Sequence, residues 1–193
     1  KHRGPDYDEV NQVSETCILG HVRLSIIDVS SASNQPMVSA CGRYSIVFNG
    51  EIYNYSEIKN KYGLSTKSSG DTEVLLESIA KVGFSILKEL NGIFAFALYD
   101  KKKNELTISR DRFGVKPLYY TFEKNNLYFS SEIKGLTCLT NIKKIFNDTK
   151  LSDFFTFLTL PGKDTFFKNI NKVMPGEVIT FAYKTNKSYT FSE

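Results

Sequence analysis

Three short segments carry residue types that could act together on a small zwitterionic substrate. Asn49-Gly50-Glu51 directly follows the apolar run Tyr44–Phe48, which predicts a strand ending at an Asn-Gly corner. Such a corner exposes a side-chain amide and a backbone N–H together, the two donors an oxyanion hole needs for acyl transfer. It is equally the signature of a tight turn with glycine at positive φ. Arg23 sits inside an apolar strand run as His21-Val22-Arg23. A guanidinium there can grip a carboxylate bidentately, or pair with an acid at a sheet rim. Gly70-Asp71-Thr72 opens a helical segment. Asp71 can present its carboxylate to a substrate amine, or Asp71 or Thr72 can cap the helix.

Other segments read more plainly. Arg110-Asp111-Arg112-Phe113-Gly114 predicts surface ion pairs around a turn. Phe94, Phe96, Phe154, Phe155, Phe157, Phe166 and Phe167 read as core, since their spacing makes no base-stacking platform. Cys17 has no His or Asp near it in sequence and reads as a small buried hydrophobe. Cys17, Cys41 and Cys138 are odd in number and far apart, so they suggest neither a disulfide framework nor a zinc knuckle. His2 and His21 add no metal-ligand spacing, and no metal is expected. No glycine-rich loop of the phosphate-binding kind occurs. The net charge of +4 is too mild for a nucleic-acid binder, and the longest apolar run, Ile93–Tyr99, is too short to span a membrane.

These residues need a folded frame, and 193 residues with 41% hydrophobic content suffice for one domain. Cys17–Val29 predicts one or two strands, Ile52–Tyr62 a helix polar on one side, and Asp71–Val82 a helix stopped by Gly83. A second short helix is expected over Ile86–Leu90. Ile93–Tyr99, Leu106–Ser109, Leu118–Phe122 and Leu127–Ser130 predict antiparallel hairpins turned by polar clusters. A helix over Ser152–Leu158 and a last hairpin of Glu177–Tyr183 with Ser188–Phe191 complete the reading. The fold class is α+β with a mostly antiparallel sheet. The residues alone stop there.

The motifs taken together go further. In order the chain shows HRGPD (2–6), GHVRLSIID (20–28), NQP (34–36), FNGEIYNY (48–55), SGDTEVLL (69–76), LNGIFAFALYD (90–100), RDRFGVKPLYY (110–120), FSSEIKGL (129–136) and MPGE (174–177). This series resembles the N-terminal glutamine amidotransferase domain of the glutamine-hydrolysing asparagine synthetases, over nearly the whole of residues 1–193. Glucosamine-6-phosphate synthase and the amidophosphoribosyltransferases share part of the pattern. RLSIID, FNGEIYNY and RDRFGVKPLYY favour the asparagine synthetase branch.

The resemblance implies a class II amidotransferase of the N-terminal-nucleophile (Ntn) hydrolase fold, a four-layer αββα sandwich with two mostly antiparallel sheets. It implies an N-terminal cysteine that attacks the glutamine side-chain amide, with its own α-amino group as base. It maps the oxyanion hole onto Asn49 and Gly50, the grip on the glutamine α-carboxylate onto Arg23, and the hold on the α-amino group onto Asp71, helped by Glu51. Backbone of Leu24, Ser25, Ile26 and Ile27 would line the same pocket. Glutamate and ammonia would result, with ammonia passing through a tunnel to a C-terminal synthetase domain. That domain would use ATP and Mg2+ to activate aspartate, while the glutaminase domain itself needs no cofactor. A cytoplasmic protein, with a homodimer as one assembly, fits the same family.

The sequence begins at Lys1 rather than Met or Cys. The expectation is therefore a domain lacking the family's first strand and nucleophile, severed from its synthetase partner and inactive as it stands. Two alternatives stand beside it. One is a glutamine-binding scaffold that has lost its nucleophile, as in β-lactam synthetases, and the other is an amidotransferase for another acceptor.

Overall fold

The computed structural model describes residues 4–24, 30–124, 126–139 and 142–182, together with the backbone of 186–190. A six-stranded antiparallel sheet forms its centre. Its strands are β3 (Met37–Val38), β4 (Tyr44–Ile52), β5 (Gly92–Asp100), β6 (Glu105–Arg110), β10 (Glu177–Ala182) and β11 (Asn186–Thr190), in the order β11-β10-β6-β5-β4-β3.

Alternation along the central strands sorts residues by size. In β5, Phe94, Phe96 and Leu98 point to one face, and Ala95, Ala97 and Tyr99 to the other. The large residues pack under α1 (Tyr55–Lys61) and α2 (Asp71–Val82) with Ile46, Phe48, Leu75 and Ile79. The small ones leave room on the opposite face.

That opposite face carries a second layer in two pieces. One is the hairpin β1 (Tyr7–Ser14) and β2 (Cys17–Arg23), and the other is the sheet β8-β7-β9 of Asn126–Ser130, Tyr119–Glu123 and Asn171–Lys172. Leu19 from the hairpin and Leu118, Tyr120 and Phe129 beside or within the small sheet share a core with Val47, Ala97 and Ile108. Beyond the small sheet, α3 (Ile133–Thr137) packs with Tyr119, Tyr128 and Ile142. Helix, sheet, split sheet, helix is the expected four-layer α+β sandwich.

Several expectations need correcting. Asn49-Gly50 is no corner: β4 runs through it to Ile52, with Asn49 opposite Ala95 and Gly50 opposite Phe94. The helix expected from Ile52 begins only at Tyr55. The hairpin pairs are right, but β6 and β7 lie in different sheets, joined by residues 111–118. β1 escaped the reading because Tyr7–Ser14 carries polar residues on both half-exposed faces and lacks an apolar rhythm. Of the seven phenylalanines read as core, only Phe94 and Phe96 are fully buried in it. Phe155 and Phe157 are exposed on α4 (Leu151–Phe157), which buries no residue, and Phe154 and Phe166 join Phe146 in a satellite aromatic cluster. Among the described residues no helix is long and apolar enough to cross a membrane.

Candidate active site

A cleft of about 660 Å³ opens between the central sheet and the two pieces of the second layer. Its walls come from β1, the end of β2, β4 up to Gly50, the start of α2, the alanines of β5 and the end of β8. Arg23, Leu24, Asn49, Gly50 and Asp71 all line it. Glu51 does not: it is exposed, on the same face of β4 as Asn49. Ser25, Ile26 and Ile27 lie outside the described residues.

The inner face of β2 explains how Arg23 arrives. Cys17, Leu19, His21 and Arg23 share that face, so one strand runs from core into cleft. Arg23 is 7% exposed, and its Nη1 donates to the Ser30 carbonyl (2.9 Å) and to Asn34 Oδ1 (2.7 Å).

Asp71 is the first residue of α2 after Gly70, and no side chain caps the helix. Asp71 instead turns toward β4 and accepts the Ile52 N–H at 2.8 Å. Glu73, in the first turn, reaches back to the N–H groups of Lys67 (2.9 Å) and Ser68 (2.6 Å) and pins the loop that leads into the helix. Burial pushes the Asp71 carboxyl up from its ordinary value, against the amides that favour its charged form.

Gly50 owes its identity to crowding. A Cβ there would stand 2.2 Å from the Ile93 carbonyl oxygen and 2.6 Å from Phe94 Cα. Its N–H direction follows from the ladder. Phe94 exchanges its backbone bonds with Asp111, on the side away from β4. Gly50 and Phe94 are therefore a non-hydrogen-bonded pair, and the Gly50 N–H points off the sheet edge into the cleft. The Asn49 side chain leaves the opposite way in register, into the layer between the sheets, where Nδ2 approaches Ser131 Oγ at 3.5 Å.

Two lining residues were missed by the sequence reading. His21 Nε2 lies 3.1 Å from the Phe48 carbonyl, and its Nδ1 is buried without a partner. Burial first, and the nearby Arg23 charge, lower its pKa and keep the imidazole neutral. Gln35 Oε1 accepts the Phe48 N–H at 2.6 Å. Their signal was the alternation of β2 and the unexplained NQP motif.

The Arg110–Gly114 segment is no surface ion-pair network. Asp111 is fully buried and accepts N–H groups from Phe94 (3.2 Å), Phe113, Val115 and Lys116 (each 3.0 Å). Arg110 donates to the carbonyls of Lys116 (2.6 Å), Val173 (2.9 Å) and Gly114. Together they stiffen the crossing that brings Lys116 to the cleft.

Cysteine is absent from the described lining. Cys17 faces the core, its thiol pushed up to about 11 by burial, and Cys41 and Cys138 are exposed and do not line the cleft.

Known proteins place this architecture. The family described as "Glutamine amidotransferase domain" matches residues 1–192. A Methanocaldococcus jannaschii protein named as a glutamine-hydrolysing asparagine synthetase is 39% identical over 200 residues, covering 94% of this chain and 39% of that protein. Asparagine synthetase 3 of Bacillus subtilis is 38% identical over 190 residues, covering 93% of this chain and 30% of its own length. The chain thus spans about a third of these relatives. Among solved structures, glutamine phosphoribosylpyrophosphate amidotransferase of B. subtilis superposes with a TM-score of 0.64 at 23% identity, over 91% of this chain and 35% of that one. With a cleft that offers a cation, an anion and an inward N–H, and with a family match over almost every residue, the chain belongs to the glutamine amidotransferase domain family.

Proposed function

We propose that the cleft binds L-glutamine and serves the ammonia-producing half-reaction of an asparagine synthetase. One observation carries this reading: Arg23, Asp71 and the Gly50 N–H converge on one cavity. Glutamine is a zwitterion with a neutral amide tail. It needs a cation for its carboxylate, an anion for its ammonium and donors for its amide oxygen. Arg23 and Asp71 serve the first two, and Asn49 Nδ2 with the Gly50 N–H serves the third.

In the proposed reaction a cysteine thiolate attacks the amide carbon and the C–N bond breaks. Ammonia leaves with the transferred proton, and water hydrolyses the thioester to glutamate. None of the described lining residues is a cysteine, so the reaction requires a thiolate that this lining does not supply. Ammonia would then pass through a tunnel to a synthetase module, which would use ATP and Mg2+ to activate aspartate. The three free thiols fit a cytoplasmic setting.

The same lack of a lining cysteine favours a second reading, a glutamine-binding module without a nucleophile. Two measurements test both. Calorimetric titration of the purified chain should show glutamine binding, weakened at least tenfold by Arg23→Ala, with no glutamate released. No binding, or glutamate release by this chain, overturns the proposal. Glutamate release by the full-length protein separates the first reading from the second.

A further inference from the structure

The upper edge of β4 is finished by side chains instead of a neighbouring strand. β3 pairs only with Ser45 and Ile46. Beyond it, the outward backbone groups belong to Phe48, Gly50 and Ile52, which share one parity. Gln35 Oε1 takes the Phe48 N–H at 2.6 Å, and His21 Nε2 donates to the Phe48 carbonyl at 3.1 Å. Asp71 takes the Ile52 N–H at 2.8 Å. Gly50, between them, turns its N–H to the cleft.

We infer that Gln35 and His21 are positioning residues, which hold the Phe48–Asn49 peptide plane so that the Gly50 N–H and the Asn49 amide meet the glutamine amide oxygen. This rests on the reading of the cleft as a glutamine site. The Phe48 carbonyl and the Asn49 N–H belong to one peptide. His21 fixes its oxygen end and the Asn49–Ala95 ladder pair fixes its nitrogen end. Gln35 adds a link to α2, with Nε2 3.4 Å from Thr72 Oγ1, beside Asp71. Gln35 is 5% exposed, so water offers no substitute acceptor. Two side chains thereby tie the Arg23 strand, the donor strand and the Asp71 helix to a single residue.

Norvaline separates positioning from plain structure, because it keeps the α-groups and the three-carbon chain of glutamine but has no amide. The purified chain should bind glutamine about tenfold more tightly than norvaline, as expected for well-placed hydrogen bonds. Gln35→Leu and His21→Leu should bring that ratio to within about twofold of unity while norvaline affinity holds. Gln35→Glu keeps an acceptor and His21→Gln keeps a donor, so both should retain most of the preference. If the leucine variants do not fold, Gln35→Asn and His21→Asn, too short to reach Phe48, carry the same test. Retained preference in the variants overturns the inference, and so does parallel loss of both ligands, which marks a structural role. Equal binding of the two amino acids by the unaltered chain overturns the glutamine reading itself and the inference with it.

Discussion

Asp71 is a buried carboxylate on the wall of the cleft. Its amide partners favour the charged form, yet burial outweighs them and raises its pKa above the ordinary 3.8. The folded chain therefore holds this proton more tightly than the unfolded chain, and the group's contribution to stability falls as pH rises from 3.8 through the native value. Above that value burial penalises the charged carboxylate more than its amide partners favour it. Asp71→Asn should leave the melting temperature unchanged or higher while lowering glutamine affinity at least tenfold. In the unaltered chain, affinity should decline on acidification from above the ordinary carboxylate range, because the ammonium needs the charged form. Calorimetry at several pH values and thermal melts check both arms. Residue types singled out Arg23, Asn49, Gly50 and Asp71, which share the lining of one cleft, whereas Glu51 lies outside it. Cap and turn were read wrongly at Asp71 and Gly50, because those motifs look alike until the partner strand is known. His21 and Gln35 stayed hidden because their roles run through the backbone of Phe48.

At the scale of elements, strong periodicity was readable and contact between elements was not. α2 ends at Gly83 as expected, with φ of 75° at that glycine, and β5 and β6 pair as a hairpin. The crossing after β6 was misread, because charged residues in a row suggest solvent when nothing in the sequence reveals burial. Asp111 is the clearest case: one carboxylate satisfies four backbone N–H groups from β5 and the crossing. Removing it orphans donors that cost about 1–3 kcal/mol each when buried. Asp111→Ala should lower unfolding free energy by ~3 kcal/mol or more, with Asp111→Asn milder because it keeps one acceptor oxygen. Urea unfolding midpoints at constant slope measure the difference. Little effect from alanine would mean that water takes over these donors.

For the whole molecule, the α+β class was readable from strand and helix order, and the four layers entered through resemblance. The division of the second layer into two pieces was not readable, because β1 had no apolar rhythm to announce it. That division sets the order in which the molecule should come apart. The hairpin β1–β2 exposes Val10, Ile18 and Val22 and pairs with no other strand among the described residues. β5 and β6 are bound on both sides over much of their length, and β4 pairs with β5 along all of its own, within the two larger core clusters. Opening free energies differ widely between such regions. Amides of β1–β2 should exchange with solvent at a low cost set by local opening, and those of β4–β6 only near global unfolding. Native-state hydrogen exchange in low urea resolves the two classes, and a single class would contradict this. Arg23 rides on the loose unit while Gly50 belongs to the firm one. Glutamine, touching both, would act as the clasp: its binding should slow exchange in the hairpin far more than in the sheet.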